Sequence, residues 1–327
     1  MRTMGIIAAA ILAAITLIYL HNASWRVPPG ESDVYFIAHR GVHQTIDADG
    51  LGRDDCSADR ISPPEHAFLE NTLPSIEAAF GHGATIVEID IHPTTDGDFA
   101  IFHDWTLDCR TDGTGVTRQR SMEYIRTLDA AHGYTHDGGA SFPLRGQGVG
   151  MIPSLGEVLA AFPEETLLID FKSRWRREAD LLSAYLTEQG VTDFSRFMVY
   201  GGAEPVERFV ELHPEVRHFT RWQLRDCAIR YMALGWTGYV PEACRETVVL
   251  LPVSHTGLIW GWPRRFIERM EGVNTEVWLM GPFDGAPNAR GLDDPELKAR
   301  IPEGVRVGIW TNRIEIINPD TFENMER

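Results

Sequence analysis

The chain has 327 residues, of which 43% are hydrophobic and 24% are charged. This composition is typical of a globular protein and excludes collagen-like, disordered and polytopic membrane chains. The net charge of −17 repels phosphate backbones, and no run of lysine and arginine forms a local basic patch, so we expect no nucleic-acid partner. Only two lysines occur, Lys172 and Lys298, which makes a lysine among candidate site residues informative.

Residues 4–20 form an uncharged, almost wholly apolar segment that follows Arg2. The segment is near the lower length limit for a membrane-spanning helix and slightly long for a signal-peptide core. We predict an uncleaved signal anchor within residues 1–24, with a cleaved secretory signal as the main alternative and a buried core helix as a third. A short linker over residues 25–33 and one domain over residues 34–327 would follow. Because positive charge precedes the segment, we expect the domain outside the cytoplasm, membrane-anchored or secreted, and periplasmic in a bacterium.

The four cysteines fit an exported protein. An even count permits two disulfides with three possible connectivities, and no Cys-x-x-Cys spacing indicates zinc. We predict Cys56–Cys109 and Cys227–Cys244. The alternative is four unpaired, buried cysteines.

Short β-branched runs alternate with amphipathic stretches along the rest of the chain, which favours parallel βαβ units. The predicted strands are residues 34–38, 85–91, 99–102, 167–171, 197–200, 216–219, 248–253, 276–280 and 305–310. The predicted helices are residues 73–80, 155–162, 177–189, 205–212, 223–234, 263–271 and 295–300. Roughly eight units of this kind predict an α/β fold, a single (β/α)8 TIM barrel behind an N-terminal hydrophobic helix.

Nine strands are one too many for such a barrel. The segment between residues 91 and 99 is too short for a parallel crossover, which needs about a dozen residues or more. We therefore expect the strand at 99–102 to pair antiparallel with its predecessor in a hairpin, giving an irregular barrel. A second strand, at 248–253, is the candidate for lying outside the barrel. Residues 42–70 and 105–153 form two long connections.

Polar side chains stand where apolar strands end, which is where barrel enzymes carry their chemistry. His39 and Arg40 close the first strand, as an acid/base group and an anion clamp would. Glu88 and Asp90 alternate on the second strand, so they share a face and need a cation or a shared proton. The sequence therefore predicts a site for a hard divalent cation on this strand.

Two further strand ends complete the predicted set. His103 follows the third strand and offers a second acid/base group. Asp170 and Lys172 share a face of the fourth strand, with a buried ion pair as the structural alternative. Histidines, carboxylates and cations together suit metal-assisted displacement at phosphorus. No Walker loop, Gly-x-Ser-x-Gly or His-Glu-x-x-His motif points elsewhere.

At these residues the sequence resembles the glycerophosphodiester phosphodiesterase family, in the form of its exported, membrane-associated bacterial members. The resemblance is strong from residue 36 to 172 and weaker beyond. The matching segments are residues 39–41 (His-Arg-Gly), 70–75 (Glu-Asn-Thr-Leu-Pro-Ser), 83–84 (Gly-Ala), 87–90 (Val-Glu-Ile-Asp), 95–97 (Thr-Asp-Gly), 102–104 (Phe-His-Asp), 110–113 (Arg-Thr-Asp-Gly), 153–155 (Pro-Ser-Leu) and 170–172 (Asp-Phe-Lys).

The resemblance implies a role for each matching residue. His39 and His103 would form the general acid/base pair. One Ca²⁺ or Mg²⁺ ion would bind the carboxylates. The implied metal ligands are Glu88, Asp90 and Asp170, and the implied substrate-binding residues are Arg40, Lys172, Glu70, Asn71 and Trp278.

Three positions depart from the family pattern. Asp170 stands where the family usually has a longer Glu, so the metal geometry or preference can differ. Trp278 lacks the Asn that usually follows it, and Asn312 replaces an Asp in the last strand. We expect the late positions to influence substrate choice more than chemistry.

Three functions fit these residues. The first is hydrolysis of glycerophosphodiesters to sn-glycerol 3-phosphate and an alcohol. The second is phospholipase D-like cleavage of lysophospholipids or membrane phospholipids, for which Trp260, Trp262 and Pro263 would provide an apolar rim. The third is a non-catalytic phosphodiester-binding protein. The substrate would be a small-molecule or lipid-derived phosphodiester. The N-terminal helix would attach the protein to the membrane.

Overall fold

The computed structural model describes residues 2–47, 49–52, 55–283, 285 and 290–319. Over these residues the chain forms ten α-helices and nine β-strands. The strands are β1 (Asp33–His39), β2 (Ile86–Pro93), β3 (Phe99–Ile101), β4 (Thr166–Phe171), β5 (Phe197–Gly201), β6 (Arg217–His218), β7 (Val248–Pro252), β8 (Glu276–Met280) and β9 (Arg306–Thr311). The helices are α1 (Arg2–Asn22), α2 (Leu73–Gly81), α3 (Met122–Ile125), α4 (Leu155–Ala161), α5 (Arg177–Glu188), α6 (Ala203–Leu212), α7 (Arg221–Leu234), α8 (Arg264–Glu271), α9 (Pro295–Lys298) and α10 (Ile314–Ile317).

Eight of the strands form a nearly closed parallel barrel in the order β6-β5-β4-β2-β1-β9-β8-β7. Backbone pairing stops between β6 and β7, where Thr247 Oγ1 donates a hydrogen bond to the carbonyl of His218 at 2.7 Å. The predicted TIM barrel is therefore confirmed. The expectation that residues 248–253 lie outside the barrel was wrong, because β7 pairs with β8 along its whole length.

The strand β3 pairs antiparallel with β2, as the short connection between them predicts. Gly97 turns this hairpin with a φ of +86°, a conformation that glycine adopts without a steric penalty. β3 therefore carries the chain to His103 without a crossover helix. His103 is delivered next to the carboxyl end of β2.

Three apolar clusters hold the fold together. The largest lies between the barrel and its helices, and a second fills the barrel interior around Ile37, Leu168 and Trp310. The third packs the two long connections against each other outside the barrel. Ser154 begins α4 with a capping box to Glu157, a local signal that stabilises helix starts.

Both predicted disulfides are present, so the alternative of unpaired cysteines was wrong. Cys56–Cys109 joins the two long connections, and Cys227–Cys244 joins α7 to the segment before β7. The first bond thus braces the loops beside His103. The second bond braces the outer helix layer.

The helix α1 is long and apolar enough to cross a membrane by length and composition, and none of its apolar window is buried. The alternative of a buried core helix was therefore wrong. Among the described residues, the hydrogen bonds between α1 and the body lie at the end of the helix. Asn22 Nδ2 donates to the carbonyl of Trp236 at 2.8 Å, and Arg269 Nη1 donates to Asn22 Oδ1 at 2.9 Å.

Candidate active site

Buried carboxylates lie at the carboxyl ends of two neighbouring barrel strands. Glu88 and Asp90 alternate along β2, and the parallel pairing of β2 with β4 sets Asp90 beside Asp170. All three residues are buried, and one oxygen from each lies within 4.8 Å of the others. The period of two along a strand therefore brings the predicted carboxylates together on one face.

Two cations lie against this carboxylate trio. Lys172 Nζ is 3.1 Å from Asp90 Oδ1 and 3.0 Å from Asp170 Oδ2, and Arg40 Nε is 3.2 Å from Asp90 Oδ2. Burial opposes the ionisation of Asp90, but Lys172 and Arg40 hold the pKa of this carboxyl well below its usual range. Burial and the charge of Asp90 raise the pKa of Glu88 well above its usual value. Burial also raises the pKa of Asp170, so the trio retains an affinity for a proton or a further cation.

The donor set of the trio fits a hard divalent cation. All three donors are carboxylate oxygens, the ligands that Ca²⁺ and Mg²⁺ prefer. Within the described residues Asp90 Oδ1 is buried and accepts no hydrogen bond, although Lys172 Nζ is 3.1 Å away. The three carboxylates are therefore placed where a divalent cation could bind them together.

A left-handed turn aims Arg40 at the trio. Arg40 has a φ of +61° and Gly41 a φ of +76°, and a Cβ at position 41 would collide with the backbone of Ser75. The backbone N–H of Arg40 donates to Glu88 Oε2 at 3.0 Å, and its Nη1 lies 3.2 Å from Glu70 Oε1. The His-Arg-Gly sequence thus has a local structural reason, because only glycine adopts this conformation freely and fits the space.

Two residues of the neighbouring loop fix the carboxylate and the arginine described above. Asn71 binds Asp90, and Glu70 pairs with Arg40. Asn71 Nδ2 donates to Asp90 Oδ2 at 2.8 Å, and its Oδ1 accepts from the Asp90 N–H at 3.1 Å. Although burial opposes its ionisation, Arg110 and Arg40 lower the pKa of Glu70. Glu70 therefore supplies a negative charge that holds Arg40 in place.

His39 is supported by a neutral amide. Its Nδ1 lies 2.7 Å from Asn312 Oδ1. The Asn312 side-chain NH₂ donates to Asp293 Oδ2 at 2.9 Å, and its backbone N–H donates to Asp293 Oδ1 at 2.7 Å. This network assigns the proton to Nδ1 and leaves the Nε2 lone pair free, 3.8 Å from Glu88 Oε2. Burial and Arg40 lower the pKa of His39 well below its usual value.

His103 is supported by a carboxylate. Its Nδ1 lies 2.7 Å from Asp104 Oδ1, and Arg110 Nε donates to Asp104 Oδ2 at 2.9 Å. Arg110 is itself buried and lies 3.0 Å from Glu70 Oε2. Burial and Arg40 lower the pKa of His103, while Asp104 opposes that shift. The two histidines therefore share a site but have supports of different charge.

Two side chains near the trio were not predicted. Tyr200 on β5 donates to Glu88 Oε1 at 2.7 Å, and β5 pairing sets it beside Asp170. His92 continues the row of Glu88 and Asp90 on β2 and is buried; in the described structure its Nε2 has no hydrogen-bond partner. The alternation of side chains along a strand predicts that His92 lies on the same face as Glu88 and Asp90. Tyr200 depends on strand pairing, which no local pattern reveals.

Trp278 does not lie with the other predicted residues. It is fully buried in the barrel interior, and its indole N–H lies 2.9 Å from both Tyr35 Oη and Glu276 Oε2, at the amino ends of the strands. This position does not fit the predicted substrate contact. The physical reason is that Glu276, two residues earlier on the same face of β8, offers the acceptor. Trp310 instead lies beside His39, with ring centroids 5.1 Å apart.

A comparison with known families adds to this geometry. Residues 39–195 match the model of the Glycerophosphoryl diester phosphodiesterase family. This part of the chain belongs to that family. The matched segment contains every predicted site residue except Trp278, and it ends before Tyr200, Asp293 and Asn312.

Individual relatives match the chain over different lengths. Human glycerophosphodiester phosphodiesterase 1 is 39% identical over 121 residues, which are 36% of this chain and 34% of that protein. The chain thus matches about a third of the length of this relative. A glycerophosphodiester phosphodiesterase from Agrobacterium tumefaciens has a TM-score of 0.55 at 20% identity and covers 89% of this chain and 99% of its own.

A second solved structure is also similar in fold. An Oleispira antarctica phosphodiesterase in complex with the product sn-glycerol-3-phosphate has a TM-score of 0.51 at 17% identity. The likeness covers 93% of this chain and all of that chain, at 100%. At these identities both solved structures support the fold and leave the chemistry to the residues themselves.

Proposed function

We propose that this protein is a phosphoric diester hydrolase that cleaves glycerophosphodiesters to sn-glycerol 3-phosphate and an alcohol, in a metal-dependent reaction. The observation that carries the proposal is the arrangement of His39 and His103, with their different supports, around the buried carboxylate trio. The family of residues 39–195 and the product bound to the Oleispira protein support the substrate class.

The charged residues would handle the phosphoryl group. Glu88, Asp90 and Asp170 would hold one divalent cation, Ca²⁺ or Mg²⁺, which would supply neutralising charge for the phosphoryl oxygens. Arg40 and Lys172 would bind those oxygens, since a guanidinium and an ammonium beside the trio are already oriented by Asp90.

The two histidines would move the protons. His39, with its free Nε2 lone pair, would accept a proton from water as the water oxygen attacks phosphorus. The bond from phosphorus to the alcohol oxygen would break, and His103 would donate a proton to that oxygen. The support of each ring favours this order, because the Asp104 carboxylate would stabilise an imidazolium and the Asn312 amide would not.

Lysophospholipids are the second candidate substrates, and the aromatic rim favours them. Trp262 packs against the core and does not provide the expected rim. Trp105 and Trp175 instead lie exposed just after His103 and Lys172, and they hold Arg118 between them at 5.3 and 5.4 Å. An acyl chain leaving the site would meet these rings.

We also propose that α1 anchors the domain outside the cytoplasm. Support comes from the exposed apolar length of α1 and from two disulfides, which persist in oxidising compartments.

The experiment compares glycerophosphocholine with lysophosphatidylcholine as substrates of the full chain in detergent, with His39→Ala as the inactive control. Release of sn-glycerol 3-phosphate from the first substrate supports the proposal. Release of choline or of lysophosphatidic acid from the second alone would favour the lipid substrate. Substrate binding without any product would contradict both and favour a binding protein.

A further inference from the structure

The outer surface of α7 carries a stripe of apolar side chains interrupted by one arginine. We define the α7 stripe as Trp222, Arg225, Ile229, Met232 and Trp236, which recur at helical spacing from α7 into the turn that follows it. Trp222 is 70% exposed, Ile229 52% and Met232 42%. The opposite side of α7 already packs on the barrel through Cys227 and Tyr231. The stripe is therefore apolar surface beyond what the core requires.

The neighbouring helix α6 shows what an ordinary outer face of this barrel looks like. Its exposed positions include Glu204, Glu207 and Glu211, so that face is acidic and well hydrated. The segment of α7 has three arginines and one aspartate, whereas that of α6 has three glutamates and one arginine. The chain has a net charge of −17. The outer face of α7 differs from it because it is apolar and its net charge is positive.

The α7 stripe ends where α1 leaves the body. His21 Nε2 lies 3.1 Å from the carbonyl of Thr237, and Asn22 Nδ2 donates to the carbonyl of Trp236 at 2.8 Å. Arg269 Nη1 ties this junction together by donating to Asn22 Oδ1 and to the carbonyl of Gly235, at 2.9 and 3.0 Å. The orientation of α1 is thus coupled to the end of α7 by a set of hydrogen bonds.

Exposed aromatic side chains surround this junction. Trp25 follows α1 and is exposed, as are Trp236, Tyr239 and Trp260. Trp260 Nε1 donates to the carbonyl of Met232 at 2.8 Å, which fixes its ring beside the end of α7. Tryptophan and tyrosine concentrate at the level of lipid headgroups, where one end of the ring is apolar and the other is polar.

We propose that the α7 stripe and these aromatic residues form an interfacial surface that lies on a lipid bilayer containing anionic lipids. A bilayer is the partner that this surface fits, because an exposed apolar helix of membrane-spanning length leaves the body at the end of the stripe. Arg221, Arg225 and Arg230 on α7 suit an anionic headgroup layer, whereas the α6 face would be repelled by it. The proposal goes beyond the hydrolysis proposed above and rests on α1 as a membrane helix.

The surface also sets the position of the candidate active site relative to the bilayer. α7 begins just after β6, at the carboxyl ends of the barrel strands where the site lies, and its 14 residues span about 20 Å. The α7 stripe therefore runs from the site end of the barrel to the α1 junction. With α7 on the bilayer, the site opens beside the headgroup layer instead of facing away from it.

The test measures lipid contact and needs no turnover. The full chain is reconstituted into phosphatidylcholine and phosphatidylglycerol vesicles, with a fluorophore on Trp222→Cys or, as the matched control, on Glu207→Cys of α6. Both proteins keep α1 and therefore the same tether. We expect nitroxide-labelled lipids to quench the α7 probe several-fold more than the α6 probe.

A second variant separates the stripe from the tether. In the Ile229→Glu, Met232→Glu background the probe at position 222 should lose its excess quenching, while circular dichroism confirms the fold. Equal quenching at positions 222 and 207 in the otherwise unchanged chain would overturn the proposal. Protection of the α7 probe from aqueous iodide without lipid quenching, lost on dilution of the protein in the vesicles, would overturn it in favour of a second copy of this chain.

Discussion

The two sides of the candidate active site hold their histidines in different ways. His39 lies against Asn312, which is held in turn by Asp293, and both residues come from the last part of the chain. His103 lies against Asp104, which is adjacent in sequence and accepts a hydrogen bond from Arg110 of the second long connection. The support of one ring is neutral and distant in sequence, and that of the other is charged and local.

This difference has a chemical consequence. Both rings are partly buried close to Arg40, and this burial and the charge of Arg40 lower the pKa of each. Only His103 has a carboxylate at hydrogen-bonding distance to offset that effect. Two histidines in one site can thereby hold different protonation states at one pH, which is what an acid and a base require.

The largest expected effect comes from removing either ring. His39→Ala and His103→Ala should each lower kcat by about 10²-fold to 10⁴-fold, the usual contribution of a positioned acid or base. The double variant should lose little more than the worse single variant, because the pair acts as a unit. Steady-state kinetics with glycerophosphocholine would check this. Near-normal turnover of both single variants, with the fold intact, would remove the histidines from the mechanism.

Exchanging the charge of the supports tests the assigned order. Asn312→Asp places a carboxylate beside His39 and should raise the pKa of this histidine. The base must be neutral, so the acid limb of the kcat/KM profile should move to higher pH. Asp104→Asn removes the carboxylate from His103 and should lower its pKa. The acid must be protonated, so the alkaline limb should move to lower pH.

A pH profile of kcat/KM for each variant decides between the two orders. The opposite pairing of limbs and variants would mean that His103 is the base and His39 the acid. The Asp104→Asn change also weakens the partner of buried Arg110, so its profile is compared as a shift in pH and not as a loss of rate.

Removing a disulfide should have the smallest effect on kcat. The two disulfides provide variants that can be compared with each other. Replacing either pair by serines should cost about 2–4 kcal/mol of unfolding free energy. Only Cys56→Ser with Cys109→Ser should also lower kcat, because Arg110 follows Cys109 and its Nη2 donates to Ser57 Oγ, beside Cys56. Thermal unfolding and kcat are measured on both double variants. Equal loss of kcat in the two would show that the effect is general destabilisation.

Much of the site could be predicted from local sequence patterns. A period of two places Glu88 with Asp90 and Asp170 with Lys172 on barrel-facing positions, and the parallel pairing of β2 with β4 joins them. The β2–β3 hairpin was predictable because seven intervening residues, 92–98, cannot form a crossover. These features depend on residues close together in the chain.

The parts that could not be predicted depend on contacts between distant segments. Asp293 lies in a loop without periodicity and reaches His39 only through Asn312, on the strand end that pairs with β1. The direction of Trp278 is set by Glu276 and Tyr35 across the barrel. In both cases tertiary hydrogen bonding decides the role, and the sequence pattern alone leaves it open.

The most direct test of the account is a metal add-back measurement on the full chain with glycerophosphocholine. Glu88→Gln tests the carboxylate trio, and Glu276→Gln is the control at the other end of the barrel. We expect EDTA to abolish release of sn-glycerol 3-phosphate. Ca²⁺ or Mg²⁺ should then restore it in the wild type and in Glu276→Gln but not in Glu88→Gln. Full turnover of metal-stripped protein, or equal restoration in Glu88→Gln, would contradict the claim that the trio works by holding a divalent cation.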